Sequence, residues 1–169
     1  ASQAEESVRI EVIYGGFFSK SEKDFPGASI FEKDESGRRV HFRHNGAELK
    51  CDKAYLYSED NRLEAYGAIY FTQGDTITLT SSELKYNGQT KIAQAIKNVT
   101  LISESSTLTT DLLFFDREKQ EAFYPYSGTL IDSVNTLKSK KGTYLIDQSL
   151  YRFNSNVTLE NKDFNLTSD

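Results

Sequence analysis

The side chains of this 169-residue chain with the widest reach for chemistry are two histidines, one cysteine and a recurring aspartate. His41 and His44 could chelate a metal or move protons. On a strand, however, a spacing of three puts them on opposite faces, so they are expected at the surface rather than in a metal site. Asp52, Asp111 and Asp169 recur at one phase, as a ladder of catalytic carboxylates would, but the equivalent slots hold Ser82 and Lys140. Repetition accounts for them without chemistry. Cys51 has no partner for an internal disulfide and reads as a small buried strand residue. No Ser/His/Asp arrangement, glycine-rich phosphate loop or thiol/His pair is present. Asn98-Val99-Thr100, Asn156-Val157-Thr158 and Asn165-Leu166-Thr167 fit the glycosylation pattern, yet the first two share one phase and follow from strand patterning. The expectation is no enzyme, no cofactor and no metal.

Charge narrows the partners. A formal net charge of -5 with singly scattered Lys and Arg gives no basic stripe, which argues against nucleic acid. No apolar run approaches the roughly 20 residues of a membrane-spanning helix. Ten Tyr and eleven Phe, with abundant Thr and Ser, favour half-buried strands and an all-β fold. Only Pro26 and Pro125 interrupt them.

The elements that would carry any function repeat. Leu49, Leu79, Leu108, Leu137 and Leu166 are spaced 30, 29, 29 and 29 residues apart. Phe42, Phe71, Leu101, Leu130 and Leu159 each precede one of them by seven or eight residues. Such a period marks one supersecondary unit used repeatedly, each copy burying its apolar face against its neighbours. Asn87-Gly88 is a strong hairpin signal, and turns recur at His44-Asn45-Gly46, Gln73-Gly74-Asp75 and Asp116-Arg117-Glu118-Lys119. The strands between them run to about 40 Å at roughly 3.3 Å per residue, and must be antiparallel. Small or turn-prone residues mark mid-strand bends at Gly67-Ala68, Ser81-Ser82, Lys97-Asn98, Thr110-Asp111, Ser127-Gly128 and Ser155-Asn156. A bend there sends each half-strand into a different sheet, giving an open, twisted antiparallel jelly roll.

Period-two alternation then assigns an inner face: Ile77 and Leu79, Val99 and Leu101, Val157 and Leu159, Ile69 and Phe71, Val40 and Phe42. The first 37 residues are less regular. Residues 8–14 alternate as a strand, and residues 15–27 read as a loop. The repeat array spans residues 38–169 and is expected to continue beyond 169 in the full-length protein.

Residues 42–47, 51–55, 64–69 and 73–76, with Asn98-Val99-Thr100-Leu101, Leu108-Thr109-Thr110-Asp111 and Leu137 to Tyr144, resemble the OstA-like family. The resemblance covers about residues 38–169. It implies a periplasmic module whose apolar groove carries the acyl chains of lipopolysaccharide or a similar glycolipid. Copies of the family's domains dock end to end between inner and outer membranes. Placed on this chain, the groove falls on Val40, Phe42, Ile69, Phe71, Ile77, Leu79, Val99, Leu101, Leu130, Leu137, Val157 and Leu159. Head-to-tail association, with itself or with related jelly rolls, would use Val8, Ile10 and Val12 at one end and Phe164 and Leu166 at the other. The rival reading is a structural or adhesive repeat protein with a solid core. A glycan-cleaving solenoid is more distant.

Overall fold

The computed structural model describes residues 8–104, 106–154, 157–161 and 165–168. Short strands come first: β1 (Glu11–Tyr14), β2 (Phe17–Ser19), β3 (Ala28–Glu32), β4 (Val40–His44), β5 (Ala47–Cys51) and β6 (Lys53–Tyr57). Four long ones follow: β7 (Arg62–Gln73), β8 (Ile77–Asn87), β9 (Ile92–Ile102) and β10 (Thr107–Asp116). The remainder is again short: β11 (Glu121–Tyr124), β12 (Gly128–Ile131), β13 (Asn135–Ser139), β14 (Lys141–Leu145), β15 (Leu150–Asn154), β16 (Val157–Asn161) and β17 (Asn165–Ser168). The only helical element among the described residues is a 3-10 turn, Ile146–Gln148.

Each long strand bends in the middle. Pairing slips between Tyr66 and Ile69 in β7, between Thr80 and Glu83 in β8, and between Thr110 and Leu112 in β10. The bends use left-handed backbone: φ is 88° at Gly67, 42° at Ala68, 65° at Lys97, 52° at Asn98 and 37° at Ser127. That region costs a non-glycine residue roughly 1–2 kcal/mol, so neighbours must hold it. At the first bend Arg39 does so. Its Nε donates to Asp52 Oδ1 at 3.1 Å and its Nη2 donates to Gly67 O at 2.7 Å and to Ala68 O. Glycine is required at 67, because a Cβ there would lie 2.7 Å from Asp52 Oδ2. Ser155 and Asn156, the last expected bend, lie outside the described residues.

The bends divide the molecule into two facing antiparallel sheets that share β7 to β10. One runs β2-β3-β6-β7-β8-β9-β10-β11-β14-β15 through the half-strands Arg62 to Tyr66, Glu83 to Asn87, Ile92 to Ile96 and Leu112 to Asp116. The other runs β1-β4-β5-β7-β8-β9-β10-β12-β13-β16-β17 through the remaining halves. The sheets therefore join along a seam of bends and end, on the opposite side, in two rims of turns. This is the open, non-closed jelly roll expected from the repeat.

Residues 15–27, expected to be loop, contain β2, which pairs with β3 through Phe18 opposite Phe31. Two consecutive phenylalanines after a glycine pair extend the sheet by one strand despite the polar stretch that follows.

Candidate functional site

The two leucine and phenylalanine series of the repeat meet in one row. Along the second sheet, direct cross-strand neighbours run Phe42, Leu49, Phe71, Leu79, Leu101, Leu108, Leu130, Leu137, Leu159 and Leu166. From Phe42 to Leu137 eight large side chains in register across eight strands form a continuous apolar ridge. Those from Phe42 to Leu130 are buried and Leu137 is partly so. Nearer the seam stand Val40, Cys51, Ile69 and Val99, also buried, and Ile77 lies toward the rim. Val157 is partly exposed. Every expected groove residue thus belongs to this one leucine wall.

The facing wall was missed by the sequence pattern. Its inner rows are Ala54, Ala65, Leu84, Ala95 and Leu113, and then Leu56, Leu63, Tyr86, Ala93, Phe115, Ala122, Tyr144 and Tyr151. Five alanines there are wholly buried. Small side chains on one wall admit large ones from the other, which is how a thin sandwich reaches native density. The walls touch through aromatic pairs: Phe31 with Phe42 at 5.8 Å, and Phe71 with Phe115 at 6.4 Å, both edge to face. The cavity left between Phe42, Leu49, Leu63, Phe71 and Tyr86 is about 10 Å³, the space of one water at most. A hollow of about 300 Å³ lies outside, beside Glu64, Lys85, Gln94 and Phe114. In this state the groove residues from Val40 to Leu130 belong to a packed core, with Leu137 against it.

Polar contacts clasp the two rims over that core. Arg117, in the turn after β10, reaches across the roll. Its Nη1 donates to His44 O at 3.2 Å, its Nη2 to Asn45 O at 2.6 Å and its Nε to Gln73 Oε1 at 2.9 Å. Nη1 also donates to Tyr86 Oη at 2.8 Å, within its own sheet. Beside it, Gln73 Nε2 donates to Gln120 Oε1 at 2.8 Å. Farther along, Ser103 and Ser106 of the leucine sheet meet the hydroxyls of Tyr144 and Tyr151. At the N-terminal end Asn61 Oδ1 accepts from Ile10 N at 2.9 Å and its Nδ2 donates to Val8 O at 2.9 Å.

His44 belongs to this clasp, so its expected surface position is corrected. It is 4% exposed, with Nε2 2.7 Å from Val8 O and Nδ1 2.7 Å from Tyr86 Oη. The carbonyl can only accept, so Nε2 carries the proton and Nδ1 accepts from the tyrosine. Burial pushes the imidazole pKa below its ordinary value of 6.5, with Arg117 and Lys91 lowering it further against the Val8 carbonyl. His41 faces the other way, 2.9 Å from Glu48 Oε1. Among the described residues no three His, Cys, Asp or Glu converge in a way that could hold a metal.

The repeating aspartates serve the bends. Asp52 holds Arg39, and Asp111 Oδ1 accepts from Asn98 N at 3.4 Å; Asp169 lies outside the described residues. Cys51 is fully buried, and burial raises its thiol pKa to about 12. At the N-terminal end Val8 and Val12 are exposed, as are Phe17 and Phe18 at 52% and 59%. Ile10, expected to dock with them, instead turns inward into the core and is 8% exposed. Leu166 lies in β17, and Phe164 falls outside the described residues.

No curated protein matches this chain. Among solved structures it resembles LptH from Pseudomonas aeruginosa, described as the LptA-homologous periplasmic component of the conserved lipopolysaccharide transport device. The two share 11% identity over 64% of this chain and 82% of that one, with a TM-score of 0.60, which establishes a common fold. A family model described as OstA-like protein matches residues 28–169. The chain belongs to the OstA-like protein family.

Proposed function

We propose that this chain is a non-enzymatic lipid-transport module that carries lipopolysaccharide or a similar glycolipid between its two walls in the periplasm. The observation that carries the reading is the in-register row from Phe42 to Leu166, which crosses the leucine sheet. An acyl chain gains roughly 0.8 kcal/mol per CH₂ removed from water, so an even apolar ridge offers a path without deep traps. Family membership and the shared fold with LptH support the same reading. No helix among the described residues is long and apolar enough to cross a membrane.

The filled interior favours a second reading, a structural repeat protein with a permanent core. Photo-crosslinking separates the two. A photoreactive residue at Val99 or Leu101 should capture labelled lipopolysaccharide, and one at Thr100 on the outer face should not. Equal labelling at all three, or none, sinks the groove.

End-to-end docking is the second part of the proposal. Among the described residues β1 and β17 have one strand neighbour each, as do β2 and β15. Unprotected edges with exposed Val12, Phe17 and Phe18 invite β-augmentation, and a contact between unlike ends grows into a filament. Sedimentation should show concentration-dependent association that Phe18→Lys weakens. A strict monomer across a wide concentration range removes this part alone.

A further inference from the structure

Among the described residues Arg117 is a buried cation without a counter-charge. It is 8% exposed, and no carboxylate among the described residues makes an ion pair with it. Its acceptors are two carbonyls, an amide oxygen and a phenol, all neutral. Arginine cannot shed its proton, so the desolvation cost stands. Lys91 and Arg117 both act against a proton on His44, so the imidazole beside the guanidinium supplies no counter-charge either. Apart from Tyr86, these acceptors lie on the opposite sheet, so every one of those bonds must break before the rims can part. Breaking them frees a guanidinium at the mouth of the interior, where an anionic oxygen pair would bind it more strongly than neutral carbonyls do.

We propose that Arg117 is a masked anion-binding residue: it fastens the rims in the empty roll and, when they open, takes the anionic headgroup of the amphiphile whose chains enter between the walls. The clasp then selects as well as closes. A neutral amphiphile must break the same bonds and recovers nothing in exchange, whereas a phosphate or carboxylate headgroup replaces them with a charge-assisted fork. Gln73 and Gln120, hydrogen-bonded to one another beside the guanidinium, form the part of the clasp that can be locked with Arg117 itself kept, at the loss of one of its four acceptors, Gln73 Oε1. This rests on the proposed lipid groove and adds its entrance and its headgroup chemistry.

The test compares fluorescent phosphatidic acid with diacylglycerol of the same chains, binding to the whole chain. Wild type should prefer the phosphate lipid. Arg117→Gln should weaken phosphatidic acid about tenfold or more while leaving diacylglycerol unchanged or tighter, and Arg117→Lys should restore part of the loss. Inorganic phosphate alone should not bind, because nothing then parts the rims. Should Arg117→Gln fold poorly, a second variant decides: Gln73→Cys with Gln120→Cys, joined by a short bismaleimide, should bind neither lipid until one thiol is left unlinked. Full binding by the linked protein, binding of inorganic phosphate in the absence of lipid, or equal loss of both lipids in Arg117→Gln would overturn the assignment. If wild type binds neither lipid, the groove reading falls and this one with it. If wild type binds both alike and Arg117→Gln changes nothing, only this one falls.

Discussion

On the leucine wall every half-strand from β4 to β12 places a large Leu or Phe at the same height. On the facing wall the matching positions read Ala54, Ala65, Leu84, Ala95 and Leu113, small residues broken by large ones. The first wall supplies apolar bulk and an even ridge; the second supplies room. Neither would serve alone. Two leucine walls would hold the sheets too far apart to meet along the seam, and two alanine walls would leave a trench open to water. On the proposed reading, an acyl chain entering between the walls would have to displace leucine and phenylalanine side chains from the room the alanines leave.

The sharpest contrast is between the two faces of the leucine wall. Leu101→Asp places a charge in a dry interior and should cost about 4 kcal/mol or more, enough to unfold much of the roll. Thr100→Asp, one residue away on the outer face, should cost about 1 kcal/mol or less. Denaturant unfolding measures both, and similar losses would mean that Leu101 is not held in a packed core. On the alanine wall the opposite experiment applies. Ala95→Leu adds bulk to a filled socket and should destabilise by about 1–3 kcal/mol. A neutral or stabilising result would show that the walls leave space between them even without cargo.

Acid tests the rim rather than the walls. The unfolded imidazole of His44 binds a proton near its ordinary value of 6.5, while the folded one, with its lowered pKa, binds it only at lower pH. The unfolded state therefore holds more protons in that window, and stability falls as pH drops through and below 6.5. The groups facing it are Arg117, Lys91, the Tyr86 hydroxyl and the Val8 carbonyl. Thermal unfolding of His44→Gln should show less loss between pH 7 and pH 5 than wild type. An unchanged slope would place the acid sensitivity elsewhere.

Much of this architecture was legible in the sequence, and for physical reasons. Leucines at a fixed period stand out against threonine and serine, so the ridge and its inward face could be read. The bends could be read because each falls at small or turn-prone residues, among them Gly67 and Asn98, the types that tolerate positive φ best. The alanine wall could not, since alanine contrasts weakly with its polar neighbours and the bend resets which residues point inward. The signal was present in short alternations such as Ala93-Gln94-Ala95 and Leu84-Lys85-Tyr86. The clasp was the least accessible. Arg117 and His44 lie 73 residues apart and meet only after both sheets have formed. Within its own turn Arg117 looks like any solvated cation.

The mildest test leaves the wild-type chain almost untouched and asks which side of the roll opens. Cys51 stands on the leucine wall at the seam, directly opposite Val40 across β4 and β5. Burial holds its thiol pKa at about 12, so at pH 8 only about 10⁻⁴ of it is the reactive thiolate. Above the ordinary value of 9.0 the unfolded thiol ionises first, so stability should fall as pH rises from there toward about 12. Under native conditions at pH 8, alkylation of Cys51 should be far slower than in denaturant. A thiol introduced as Ala93→Cys, on the alanine wall toward the rim, should react faster than Cys51, because the rim is held by side chains and the seam by continuous backbone. Equal rates would mean that the walls separate at the bends as readily as at the turns. The seam would then not be the hinge, and the difference between the two sides of the roll would be one of composition only.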